Sequence, residues 1–483
     1  MSERYLTILE VSQKQAYIFQ SNKLRENVLN SAVIAWIMDA DYLEETVGDQ
    51  SMFNKRDNLV YSGGGHTVLE FPDKEQAIRF VKKITKVIKK DYPDIEIFAK
   101  TVSYEADKSP AENLKELTKA LEKKKSERRA AFHQGSFGVE EIDTNTLKPM
   151  LYPNEKTNEM PKKEEQTDKH LMAEGFHRVS KFEELGGTKD QSNFIAVVHI
   201  DGNAMGKRVE RLHQKLNEFG WEEYKEKLKT FSESIDNDFK AAYKEMSEHV
   251  ADNIRNDKLK DLNIVEKKFP VRRIITAGDD ICFVAEGRIG LECAVTFINK
   301  LSNRKNKVDG QGYAACAGVA IVHQKYPFYK AYELAEMLCS SAKKYGSALS
   351  SDGFGSDVSA IDWHIEFGEL KDTLEEMRAD YNDSDGISIS GRPYIVKASH
   401  PIPDAENVRC YSAIRDTIGK LQKNEDCARG TFKELRNILK QGQNETTYYT
   451  QFHRIDGLIK QLGNDYKVLF DAIELLDTFI ALE

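Results

Sequence analysis

The stretch Arg272–Gly287, RRIITAGDDICFVAEG, decides how the rest of the chain is read. β-Branched residues Ile274, Ile275 and Thr276 lead into Ala277-Gly278-Asp279-Asp280. An apolar run, Ile281 to Ala285, follows. This pattern predicts a tight β-hairpin with two adjacent carboxylates at its tip. Side-by-side carboxylates repel and are costly to hold together without a cation.

Working outward, FIAVVHI (194–200) reads as a buried strand that ends in Asp201-Gly202. Helical patterns fill roughly 204–257, then come the hairpin, a helix over 287–303, a strand over 313–322 and a helix over 329–346. The first part of the chain has the same order. YLTILEVS (5–12) alternates like a strand, residues 14–46 look helical, and NLVYSGGGHTVLEF (58–71) is strand, glycine turn and strand. A helix over 73–90, a strand over 95–104 and a long helix over 109–132 complete it. Ser109 is the expected N-cap of that last helix, and Pro110 its first residue. Strand, helix, hairpin, helix, strand, helix occurs twice, so the expected fold class is α+β, two ferredoxin-like units. Aligning the hairpins sets Gly63-Gly64-Gly65-His66 against Ala277-Gly278-Asp279-Asp280.

Between the halves, residues 152–170 are charged and aperiodic, which predicts a linker or mobile loop. Beyond about residue 365 the chain reads as mostly helical. The expected domains are therefore 1–132, a charged linker or insert at 133–190, 191–365 and a helical 366–483.

Composition limits the function. The 483 residues carry a net charge of −9, which argues against a general nucleic-acid coat. No apolar run approaches the ~20 residues that span a membrane. The N-terminal residues lack a signal-peptide pattern, so a cytoplasmic location is expected. The six cysteines include no Cys-x-x-Cys pair, so reduced thiols rather than a structural zinc site are expected. None of the eleven histidines precedes an aspartate, so a His-Asp nuclease signature is missing.

In a ferredoxin-like sheet the first strand neighbours the central hairpin. Asp201, Asp279 and Asp280 are then expected to converge as catalytic, metal-ligating carboxylates, a set suited to two Mg²⁺ or Mn²⁺ ions. Such ions can hold a triphosphate and activate an attacking hydroxyl. Gly202 and Gly278 would let the backbone approach phosphates. For each acid the bland alternative is a surface turn.

The segments HIDGNAMG, ITAGDDICFVA, AGVAIVHQKYPFYKAYELAEMLCSSAKKYG and AIDWHI together resemble the second palm domain of the large subunit of type III CRISPR effector complexes. SNKLRENVLNSAVI with YSGGGHTVLEF resembles that family's first palm. The resemblance implies a degenerate first palm and an active second one. It also implies conversion of ATP to cyclic oligoadenylate messengers, and partnership with guide or target RNA and other effector subunits. The family's usual Gly-Gly-Asp-Asp has Ala277 in first place here. By resemblance, Lys343 neutralises triphosphate charge, with Lys344 as the rival and an exposed helix lysine as the bland reading. Gly63, Gly64 and Gly65 would cradle a second nucleotide. His199 shares a strand face with Asp201 and reads first as a packed core histidine, with metal ligation as the alternative. The basic run 122–129 reads as a solvated helix face or an RNA contact. A non-catalytic scaffold with a relic palm is the competing function.

Overall fold

The computed structural model describes residues 3–63, 65–127, 138–142, 149, 155–185, 193–368, 371–402, 408–425, 427–463 and 465–483. Strands β1 (Tyr5–Ser12), β2 (Leu59–Gly63), β3 (His66–Phe71) and β4 (Glu96–Ser103) form one sheet in the order β2-β3-β1-β4. Strands β5 (Phe194–Gly202), β6 (Val271–Ala277), β7 (Asp280–Glu286), β8 (Ala315–His323), β9 (Val358–Ile365) and β10 (Tyr394–Ala398) form the second, in the order β10-β9-β8-β5-β7-β6. Reversing that order gives β6-β7-β5-β8 followed by two extra strands, so the duplication read from the sequence holds at the level of topology.

Each sheet is buried on both faces. In the second, Ala196, Val198 and Ile200 pack toward the helices Trp221–Arg255 and Gly290–Leu301. Ile195 and Val197 pack toward the helix Phe328–Leu349. The period of two thus sends alternate residues of β5 to different cores. The halves also exchange helices. The helix Leu24–Ile37, which follows β1, packs on β6; the helix Trp221–Arg255, which follows β5, packs on β2. This reciprocal exchange is a pseudo-twofold relation between the halves.

Several boundaries differ from the sequence reading. Residues 14–46 form three helices, Lys14–Ile18, Leu24–Ile37 and Ala40–Val47, rather than one. The long helix is Pro110–Ser126, with Ser109 and Glu112 forming a capping box; residues 128–132 lie outside the described residues. The expected loop at 152–170 is overturned over Glu155–Leu171, which is a helix despite an internal Pro161. Its order comes from tertiary ion pairs rather than an apolar stripe. Glu164 bonds Arg272 at 2.7 Å and Arg178 at 2.9 Å, and Asp168 bonds Arg272 and, at 3.1 Å, Arg273. A bulge between Arg273 and Ile275 accompanies the turning of both consecutive arginines to this helix.

The C-terminal region is largely helical, as expected, but it also supplies β10, which pairs antiparallel with β9. Trp363 of β9 stacks on Tyr394 of β10 with ring centroids 5.3 Å apart, and both are fully buried. Among the described residues no helix is long and apolar enough to cross a membrane.

Candidate active site between the two sheets

The hairpin closes as the sequence predicts. Ala277 pairs with Asp280 across a two-residue loop, Gly278-Asp279. Gly278 takes φ +64°, a conformation open to glycine at little cost, and its N–H donates to Asp236 Oδ1 at 3.3 Å. Asp280 stands opposite Asp201 in the register of β5 and β7. Asp279 O accepts from Gly202 N–H at 3.2 Å, and a Cβ on Gly202 would lie 2.8 Å from Asp279 Cβ. Glycine at 202 is therefore required for the strand end to sit against the hairpin tip.

The three acids repel strongly. Burial, then the Asp201 charge, pushes Asp279 up to about 7. Asp280 is also pushed up to about 7, by burial, then by Asp201 and Glu336. Asp280 Oδ1 is a buried acceptor without a hydrogen-bond partner. Lys343 Nζ donates to Asp201 Oδ2 at 2.5 Å and to Gly202 O at 3.2 Å. Burial works against the Lys343 ammonium, but the Asp201 carboxylate outweighs it and holds the pKa above its usual value. Lys344, the rival, is exposed on another face.

Among the described residues no three ligating side chains stand in a ready coordination geometry. The donor set nevertheless fits a hard divalent cation. It has three oxygen-donor side chains, two of them pushed up to about 7 by burial and by the Asp201 charge, and one buried lone pair unclaimed. His199 sits beside the set as a packed histidine. It is buried, packs edge-on against Tyr332 with centroids 5.6 Å apart, and keeps Nδ1 3.5 Å from Asp280 Oδ1 without a hydrogen bond. Burial lowers its pKa, as expected of a neutral core histidine.

The first sheet contains counterparts that the sequence reading missed. Gly63 pairs with His66, so Gly65 and His66 occupy the places of Asp279 and Asp280. Gly64 lies outside the described residues. Glu10 stands opposite His66, the register place of Asp201. Lys125 Nζ donates to Glu10 Oε1 at 2.9 Å, as Lys343 does to Asp201. Each lysine lies fifteen residues after the first residue of its helix, 125 − 110 and 343 − 328. The match appears only with the observed starts; from the expected start at 329 the offset of Lys343 is fourteen, which falls on Lys124 in the first half. The basic run 122–129 is, over its described residues, largely a solvated helix face: Lys123 and Lys124 are exposed, Lys124 reaching the Ala99 carbonyl at 2.8 Å, and Lys125 is committed to Glu10; Arg128 and Arg129 lie outside the described residues.

Two clefts flank the hairpin tips. One, of 510 Å³, is lined by Glu10, Lys14, Gly65, Lys125, Asp279 and Asp280 among others. The other, of 320 Å³, lies against Gly63, Gly65 and Gly278, with Lys229, Asp236 and Lys240 from the helix Trp221–Arg255. Residues of both halves line each cleft.

Residues 194–349 match the Cas10/Cmr2 second palm domain. This palm holds all three acids and Lys343. Solved structures extend the likeness over the whole chain. A Csm1–Csm4 cassette in complex with cA4 superposes with a TM-score of 0.59 at 13% identity, covering 99% of this chain and 70% of that one. Csm1 of T. onnurineus gives 0.53 at 15% identity with the same coverages. A Csm1–Csm4 cassette in complex with one ATP gives 0.55 at 15%, again over 99% and 70%. The type III resemblance read from the sequence is thus borne out in the family match and in the fold. Among curated proteins none matches the chain.

Proposed function

We propose that this chain is a nucleotidyltransferase that joins ATP into cyclic oligoadenylates at the cleft between a degenerate first palm (1–132) and an active second palm (191–365). The remainder would be an insert at 133–190 and a helical domain at 366–483. The observation that carries the reading is the convergence of Asp201, Asp279 and Asp280 with Lys343 beside a cleft walled by the other half. Structural neighbours complexed with ATP, pppApA, pppApApA and cA4 support the substrate and product class.

Asp201, Asp279 and Asp280 would hold two Mg²⁺ or Mn²⁺ ions. When bound, these supply charge neutralisation at the α-phosphate and a lowered pKa for the attacking ribose hydroxyl. Lys343, released from Asp201, would take the β- or γ-phosphate as a point charge. Gly202 and Gly278 keep the backbone low under the phosphates. The acceptor nucleotide would rest against the Gly63-Gly64-Gly65 turn, and holding both nucleotides in register supplies rate through orientation. Other effector subunits and guide or target RNA would then be partners, as the Csm1–Csm4 pairing of the neighbours suggests. Ala277 takes strand conformation at the closing pair of the hairpin, so alanine costs little at that position.

The test is incubation of the purified protein with each labelled NTP and Mn²⁺, followed by mass spectrometry. Cyclic or linear adenylates that vanish in the Asp279→Asn/Asp280→Asn protein are expected. Unchanged product in that variant would sink the reading.

A further inference from the structure

Gly65 has a neighbour that the duplication does not explain. Its φ of +79° favours glycine, and a Cβ there would lie 2.5 Å from Lys14 Cε and 3.0 Å from Cδ. The Lys14 side chain therefore lies flat across the turn backbone. A nucleotide approaching this turn meets an ammonium group before it meets peptide N–H groups.

The backbone around Lys14 is fixed on both sides. Gln13 takes φ +53°, uncommon for a residue with a Cβ. Gln15 Nε2 donates to Glu336 Oε1 at 2.8 Å and to the Tyr332 hydroxyl at 3.1 Å. Both acceptors lie on the helix Phe328–Leu349 that carries Lys343. Lys14 is thus held at the seam between the halves, in the 510 Å³ cleft that also contains Asp279 and Asp280. It adds a third cation to a site where Lys343 serves Asp201 and Lys125 serves Glu10 and Glu122. Burial lowers the Lys14 pKa, with Glu10 and Asp280 acting the other way. A half-buried ammonium on a four-carbon stem, with its root anchored, suits a phosphate that arrives and leaves.

We propose that Lys14 is the first half's phosphate ligand, binding the triphosphate of the nucleotide that lies against the Gly65 turn. Glycine at 65 is what lets the lysine stem lie there. The ligand class is a nucleoside triphosphate, so the proposal rests on the nucleotide reading of the cleft.

Lys14→Ala, Lys14→Arg and the wild-type protein should be titrated with a non-hydrolysable ATP analogue and with adenosine, in Mn²⁺. Loss of a charge-assisted phosphate contact should weaken analogue binding by about tenfold to a hundredfold. Adenosine binding and Mn²⁺ binding should stay unchanged, and Lys14→Arg should recover most of the lost affinity. In turnover the loss should appear in KM rather than kcat. Equal weakening of adenosine and analogue would mark Lys14 as merely structural and overturn the proposal, as would wild-type analogue affinity in Lys14→Ala. If the wild type binds the analogue in a Lys14-dependent way but makes no product from any NTP, the phosphate ligand stands and the synthase reading falls. If it binds no analogue, both fall.

Discussion

Asp280→Asn should make this protein more stable at pH 8, although it removes a residue we place at the centre of the chemistry. Burial and the charges of Asp201 and Glu336 push the Asp280 carboxyl from 3.8 up to about 7. An acid whose pKa is raised on folding penalises the folded state once the unfolded chain ionises. The penalty is absent below about pH 4, grows as pH rises, and is complete above about pH 7. Without screening, ionising such a carboxyl in the folded protein would cost about 4 kcal/mol more than in the unfolded chain. The Asp280 side chain is 41% exposed, so solvent screens part of this, and about 1–2 kcal/mol is expected. Asparagine has similar volume and no charge, so the variant should gain that amount at pH 8. The gain should fall by roughly half at pH 5.5, which lies about midway between the ordinary and the raised pKa.

The assay is urea unfolding of both proteins at pH 8 and pH 5.5, with and without Mn²⁺. A cation on the carboxylates should stabilise the wild type at pH 8 by mass action and leave Asp280→Asn nearly unmoved. A variant less stable than wild type at pH 8, or a gain equal at both pH values, would refute the claim that these acids are held together at a cost a cation relieves. Equal stabilisation of both proteins by Mn²⁺ would place the metal elsewhere.

Other outcomes follow from the same geometry. Lys343→Ala should lower product formation by roughly one to two orders of magnitude through loss of a charge-assisted phosphate contact, with fold kept, as read by initial rates and circular dichroism. Asp168→Asn leaves the paired, buried guanidinium groups of Arg272 and Arg273 short of countercharge. About 3 kcal/mol of stability should be lost, with hydrogen exchange speeding up over 155–171. Gly202→Ala places a Cβ 2.8 Å from Asp279 Cβ and 2.9 Å from Met205 Cε, so it should displace the hairpin tip and abolish product in rate assays while denaturant midpoints fall only modestly. The isolated chain should bind RNA weakly and lose that binding as salt rises; tight, salt-insensitive binding in a filter assay would contradict this.

The hairpin and its acids were legible because two local rules fix them. A two-residue loop with glycine first sets the tip, and the antiparallel register then places Asp280 against whatever ends the neighbouring strand, here Asp201. The topology followed from counting elements twice. What escaped notice depends on contacts between distant parts of the chain. The helix Glu155–Leu171 has no strong apolar stripe to reveal it; its order rests on Glu164 and Asp168 meeting arginines more than a hundred residues away. Strand β10 sits in a polar region and becomes a strand by pairing with β9. Lys14, Glu10, Gln15 and Glu336 look like ordinary surface polar residues until the halves close on each other. One further signal needs the observed helix starts, since the expected start at 329 misplaces it by one residue. With Pro110 and Phe328 as the first helical residues, the matched offsets of Lys125 and Lys343 point to a carboxylate opposite Lys125, and hence to Glu10. The first half has then lost the two tip acids yet kept the strand-end carboxylate and its lysine. That is the pattern expected if the first half still holds a charged ligand, with no need for it to gather metal.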